Sequence, residues 1–469
     1  NGKLSSLIEE INTTLDIKLE FLGLDAADEG IYIDNIIIVQ TAGSAPTWNG
    51  SSSNSWFDPS NWDHGMIPLA SDDVIIPNVA GLPNAPIVDN AGAVCNSLTI
   101  QDRGYLTIVD PSATLKTNTV ELQPGGGLDI QGGEIECTGK MDFDGVLIMT
   151  DGLLDVNGEM ELSSSANGTG IDGVGVITVE GEWDGANASG FLPAGGTVIL
   201  DAASSDVNLE LHASAYFHHL TISTGALLEV DCNSNLDVNG SLSITSGILD
   251  LGTANSNLNI AGNYINSGGI LSTSAETITF DGSGVVVAAG HTDNTANLII
   301  AQSGGSVETT GDWTLNDLAV TAGTFLIDGE TVESDHELFI TGGTLQLNSG
   351  LLFSSSPTSN DFELTGGTLD VNGGEVRVGD VADEFADILL TSGTIDVAGG
   401  TVNINDELDL DGGTFNQSGG TVWVCKFAGA QDGTNVDKFS ASSISTINLT
   451  GGDLKIGGQS SSSLDAINI

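Results

Sequence analysis

Gly366-Gly367-Thr368-Leu369-Asp370-Val371-Asn372-Gly373-Gly374-Glu375-Val376-Arg377-Val378 is the stretch from which the rest of the chain can be read. It holds two short alternations separated by a glycine pair. Leu369 and Val371, then Val376 and Val378, point to one side. Asp370, Glu375 and Arg377 point to the other, which is the period-two pattern of a half-buried strand. Asn and Gly tolerate positive φ, so they end each strand and bend the chain. Asn372 is therefore expected in a left-handed turn position, as are Asn157 and Asn239 of the matching phrases. The phrase Leu-Asp-Val-Asn-Gly occurs at 154–158, 236–240 and 369–373. Doublets of the same kind follow at 392–404 and 412–424. They recur every ~20–26 residues, the length of one solenoid coil.

The fold class that follows is all-β, a right-handed parallel β-helix over 79–469. In such a fold each coil lays its strands on those of the coil before, and backbone hydrogen bonds run along the long axis. At ~22 residues per coil and about 4.8 Å per coil, the rod is on the order of 85 Å long. The central Asp of each phrase becomes a rung of an outward acid ladder, where like charges repel. A longer period is also present. Thr197-Val198-Ile199-Leu200-Asp201 returns as Thr277-Ile278-Thr279-Phe280-Asp281, at nearly the spacing of the first two Leu-Asp-Val-Asn-Gly copies. A duplicated unit of about four coils is expected.

Composition sets limits on partners. Nine Lys and Arg against 64 Asp and Glu give a formal net charge of −55. Nucleic acid is excluded as a partner, because phosphate binding needs clustered cations. No apolar run reaches the length needed to cross a bilayer, so no membrane insertion is expected. Solubility in a salty medium accounts for the charge in one reading, and capture of divalent cations, calcium above all, in another. The 63 glycines beside ten prolines mark many tight turns in an apolar, periodic chain, which argues against disorder. Cys95, Cys137, Cys232 and Cys425 lack metal-ligand spacing and are expected as buried thiols. The first and last residues read as interior sequence, so a segment of a much longer polypeptide is expected.

Two regions precede the repeats. Residues 1–43 include two strand candidates, at 17–24 and 31–39, around an acidic turn. They resemble the closing hairpin of jelly-roll domains in large secreted bacterial proteins. Residues 44–78 are aromatic-rich. They contain Thr47-Trp48-Asn49-Gly50, Trp56-Phe57-Asp58-Pro59-Ser60-Asn61-Trp62, Gly65-Met66-Ile67-Pro68 and Asp72-Asp73-Val74-Ile75-Ile76-Pro77. This ordered set resembles the entry segment of β-helical surface proteins of Bacteroidetes type, in which it caps the first coil. The resemblance implies export by the type IX system and attachment at the cell surface, with roles in adhesion, gliding and contact with cells or polysaccharide. Physically, bulky rings suit the exposed end of a coil stack. A glycan-contact role for Trp48, Trp56 and Trp62 is the competing reading.

Candidate chemistry is sparse. Polysaccharide lyases and hydrolases also use parallel β-helices, but the nine cations are scattered and show no cluster. Asp142 with Asp144, and Asp406 with Asp409 and Asp411, are the best carboxylate groups for a hydrolase. Asp406, Asp409 and Asp411 are also read, with Asp172, as candidate calcium ligands. Asp172 lies in Asn167-Gly168-Thr169-Gly170-Ile171-Asp172-Gly173-Val174, which approaches the calcium nonapeptide in a single copy. His218 and His219, with His212 nearby, are expected at a strand start with one ring in and one out, poor geometry for a metal. No cofactor is required. The expected function is non-enzymatic: a stiff acidic stalk or filament body of a large secreted surface protein, extracellular, meeting copies of itself, other cells or surface polysaccharide. The alternative is a carbohydrate-active β-helix enzyme or a glycan-binding module.

Overall fold

The computed structural model of the chain describes residues 45–252, 256–355, 362–379, 386–425, 437–457 and 466–468. The jelly-roll-like hairpin expected within 1–43 lies outside them. From residue 45 onward the chain is an all-β parallel solenoid of about 15 turns. Its only helical elements among the described residues are two 3-10 turns, Pro59–Asn61 and Val79–Gly81. At about 4.8 Å per turn the stack is on the order of 70–85 Å long, in line with the sequence estimate, although the chain spent per turn varies. Met160 stands on Met141, whereas Ile447 stands on Phe415, so the late turn spends far more chain than the early one.

Each turn lays down three strand segments, and these stack into three faces. Face one begins with Asp73–Ile76, Ser97–Ile100, Thr119–Leu122 and Met141–Phe143. Face two begins with Ile87–Val88, Tyr105–Ile108 and Gly127–Ile130. Face three begins with Ala93–Val94, Thr114–Thr117, Glu134–Cys137 and Leu153–Val156. The first stacked strand, Asp73–Ile76, thus belongs to the aromatic-rich region and lies upstream of residue 79.

Alternation dictates the core. On face three Leu115, Ile135, Leu154, Ile177, Val198, Leu220 and Leu242 stand one upon the next, all buried. One continuous hydrophobic cluster runs from Trp48 to Phe439. Where face two thins to the single bridges Asn167 to Gly190 and Phe217 to Val238, aromatics fill the interior. There Trp183 packs edge-on against Phe191 and Phe217 at 5.1 Å each. Burial pushes the thiols of Cys95, Cys137 and Cys232 up to about 11, as expected of buried thiols.

The turns are built differently from the expectation. Among the described residues only Arg103 and Cys425 are non-glycines with positive φ, so Asn157, Asn239 and Asn372 are not left-handed. The second glycine of the pair carries that conformation, as at Gly374 with φ 66°. The first glycine is needed for close approach: a Cβ on Gly373 would lie 2.2 Å from the carbonyl oxygen of Asn348. Asn372 is left free to bridge outward, donating to Asp370 Oδ2 at 3.0 Å and to Asn348 Oδ1 at 3.3 Å.

The long repeat is also not a whole number of turns. Leu153–Val156 and Thr197–Leu200 stand on face three. Their counterparts Leu236–Val238 and Thr277–Phe280 stand on face two. The long period therefore spans one strand segment fewer than four full turns, and each copy is rotated by one face. Strand-and-turn segments of this kind are interchangeable among faces because each buries the same alternate residues.

Candidate functional site

Outward residues of face one form the most concentrated chemistry on the described solenoid. The strand register sets Glu121, Asp142, Glu161, Asp184 and Glu210 directly upon one another over five successive turns. Two residues earlier on the same strands, a second lane runs Lys140, Glu159, Glu182, Asn208, Asp231 and Asp250. Side chains on parallel neighbouring strands repeat at about 4.8 Å. A pair of unit charges about 5 Å apart repels by roughly 0.8 kcal/mol even in bulk water. Lys140 is the cation set into this array. It pairs with Asp142 at 3.1 Å, with Glu159 at 3.7 Å, and with Glu161. The Glu161 contact does most to raise the Lys140 ammonium above its ordinary range.

Further along, Glu229, Asp231 and Asp250 bring carboxylate oxygens within 4.8 Å of one another. Partial burial, followed by Asp231 and Asp206, pushes the Glu229 carboxyl up. Burial and then Asp250 do the same to Asp231. These are carboxylates whose charged form is disfavoured and which a cation would relieve.

Through the phrases that suggested it, the ladder is no more than two acids long. Asp155 stands between Glu136 and Thr178, and its Oδ1 accepts from the Thr178 hydroxyl at 2.6 Å. Asp237 faces Asn259, and Asp370 lies between Gln346 and Asp396. Face one carries the denser array, in strands such as Met141–Phe143 and Met160–Leu162 that contain no repeated phrase. Its signal in the sequence is an acid at one outward position of each turn, visible only when the register is known.

Two groups of three potential metal ligands lie within 4.8 Å among the described residues, and neither includes Asp172, Asp406, Asp409 or Asp411. Asp172 is exposed just after the strand Asn167–Ile171, where Asn167 Oδ1 is occupied by the amide and hydroxyl of Thr169. Asp406 is buried at a corner. Asp409 points outward between Leu389 and Ser440 and accepts from the Ser440 hydroxyl. Asp411 is exposed in the following turn. Asp142 joins the ladder, separated from Asp144 by the end of its strand. His218 and His219 are both half-buried, with ring centroids 4.4 Å apart, because Phe217 and Leu220 take the inward positions. Neither imidazole enters the core, contrary to the expected in-and-out pair. His219 Nδ1 accepts from the amide of Ser241 at 2.9 Å.

The aromatic entry segment closes the first turn. Thr47 bridges to Ile75 on face one and Ser55 to Ile87 on face two. Trp48, Trp56 and Trp62 are no more than 1% exposed. Trp62 meets Trp48 at 5.1 Å and Trp56 at 4.8 Å, both edge-on. Trp62 Nε1 donates to Trp56 O and Trp48 Nε1 to Asn84 O. Rings so enclosed pack edge to face and offer no open face to a sugar. The residue that organises them is Asn61, which is fully buried. Its Oδ1 accepts from the amides of Ser52 and Ser53, and its Nδ2 donates to Ser53 Oγ and Ser55 O, all at 2.9 Å.

A family model described as a domain of unknown function, DUF8693, matches residues 47–133. That span begins at the tryptophan segment and runs through the first turns. The chain matches none of the curated proteins and none of the solved structures with which it was compared.

Proposed function

We propose that this chain is a non-enzymatic, load-carrying and adhesive segment of a large secreted surface protein, and that its acidic face one binds divalent cations, calcium first among them. The observation that supports this reading is the five-rung carboxylate ladder on a solenoid with a continuous apolar core. A stack held by backbone hydrogen bonds along its axis resists bending and stretching, which suits a stalk or filament body. Carboxylates at about 4.8 Å are hard oxygen ligands that one cation can bridge. In this reading the protein acts outside the cell, and cations join its acidic faces to copies of itself or to anionic surface polysaccharide. Export by the type IX route belongs to the same proposal and rests on the resemblance of 44–78 alone.

Calorimetric titration of the purified chain with calcium at low ionic strength, paired with thermal melts, tests it. Saturable uptake and a melting temperature raised by several degrees, reversed by chelator, are expected. A melt that is the same in calcium and in excess chelator removes cation bridging. Cleavage of any member of a glycan panel overturns the non-enzymatic assignment.

A further inference from the structure

A mixed nitrogen and oxygen cluster lies away from the acidic ladder. Asp317, His336 and Glu337 bring one ligand atom each within 4.8 Å of the others. All three side chains are half-buried. They come from two successive turns: Asp317 leads the segment that pairs with 297–301, and the Thr341 amide donates to Val320 O one turn later. That offset sets Glu337 directly over Asp317, and the Glu337 amide donates to Asp317 Oδ1 at 3.1 Å. His336 Nδ1 stands 2.9 Å from the same oxygen.

We infer that Asp317, His336 and Glu337 form a binding site for a borderline transition-metal dication of the zinc class, distinct from the calcium-type face. Three observations carry it. First, the donor set is one imidazole and two carboxylates, three protein ligands that leave a coordination position for water. Second, ligands at ~2 Å on a tetrahedral zinc lie roughly 3.3 Å apart, so donors already 2.9 Å to 4.8 Å apart need only small adjustments. Third, the corner presenting His336 is fixed. Ser334 is fully buried, and its hydroxyl bonds to Glu337 O at 2.9 Å and to Asn316 O at 3.1 Å, pinning the two turns together. Ligands held by such supporting bonds lose little freedom on binding a metal. Stacking Asp317 beneath Glu337 sets like charges together, and a dication between them removes that repulsion. The metal would then clamp adjacent turns.

The test uses untagged full chain stripped of metal and titrated with zinc in excess calcium, which occupies the hard oxygen sites. One zinc per chain is expected, with tenfold or greater weakening in His336→Ala and in Asp317→Asn. His212→Ala, an imidazole elsewhere on the surface, should bind as the wild type does. Cobalt(II) gives a second readout: a ligand-field spectrum with imidazole character in the wild type that His336→Ala loses. Circular dichroism establishes that the variants fold; His336 and Asp317 lie outside the core, so they should. Equal zinc uptake by wild type and His336→Ala, or no uptake in excess calcium, overturns the site. Either result leaves the calcium reading of face one untouched, because calcium uptake is measured separately.

Discussion

At the scale of single residues, two positions show how local chemistry fixes the coil. Gly374 has φ 66°, and a Cβ there would lie 2.6 Å from the carbonyl oxygen of Gly350 in the turn below. Gly374→Ala is therefore expected to cost about 1–3 kcal/mol, read as a shift of the denaturant midpoint with unchanged slope. Asn61 is the second. All four of its side-chain hydrogen bonds are satisfied inside the cap. Asn61→Ala leaves the amides of Ser52 and Ser53 without their acceptor and should cost about 1–3 kcal/mol. Tryptophan fluorescence should report it directly, since Trp48, Trp56 and Trp62 surround the loop. A melt and emission spectrum like those of the wild type would remove Asn61 from the account. Neither role could be read from the letters alone. A Gly-Gly pair announces a turn, but which glycine is strained depends on the backbone of the neighbouring coil. The polar letters around Asn61 do not say that its side chain is buried.

At the scale of elements, the strands were legible and their outer faces were not. Apolar alternation in 368–371 and 375–378 named the buried residues, and Leu369, Val371, Val376 and Val378 are all buried. What the outward residues meet is set by register between turns of unequal length. The array Glu121, Asp142, Glu161, Asp184 and Glu210 is assembled by that register. Asp184 stands between Glu161 and Glu210. Asp184→Asn is expected to stabilise the fold by about 0.2–1 kcal/mol at low salt, with the gain fading as ionic strength rises. Thermal melts of both proteins across a salt series check this. A gain that persists at high salt would point to something other than charge.

At the scale of the whole molecule, charge couples the fold to its medium. Glu229 and Asp231 have raised carboxyl pKa values in the folded chain, from burial first and then from neighbouring acids. For an acid whose folded value exceeds its unfolded value, proton uptake favours the folded state. That contribution is complete below the unfolded value and is lost as pH rises through the folded one. The double variant Glu229→Gln with Asp231→Asn should therefore exceed the wild type in stability at neutral pH. Its advantage should shrink as pH falls into the carboxylate range. Melts at matched ionic strength measure it, and a difference independent of pH would contradict the assignment.

The sequence by itself determined the class of fold, the buried half of each strand and the enormous negative charge. These follow from a period of two, from turn residues and from counting, none of which needs distant contacts. The tertiary structure alone decided which acids become neighbours, that the tryptophans are enclosed, that the long repeat turns by one face, and that His336 meets Asp317. The physical reason is common to all four. Contacts along a solenoid join residues one turn apart, and the chain spent on a turn is not constant, as Met141 under Met160 and Phe415 under Ile447 show. Only the folded register says which residue lies above which.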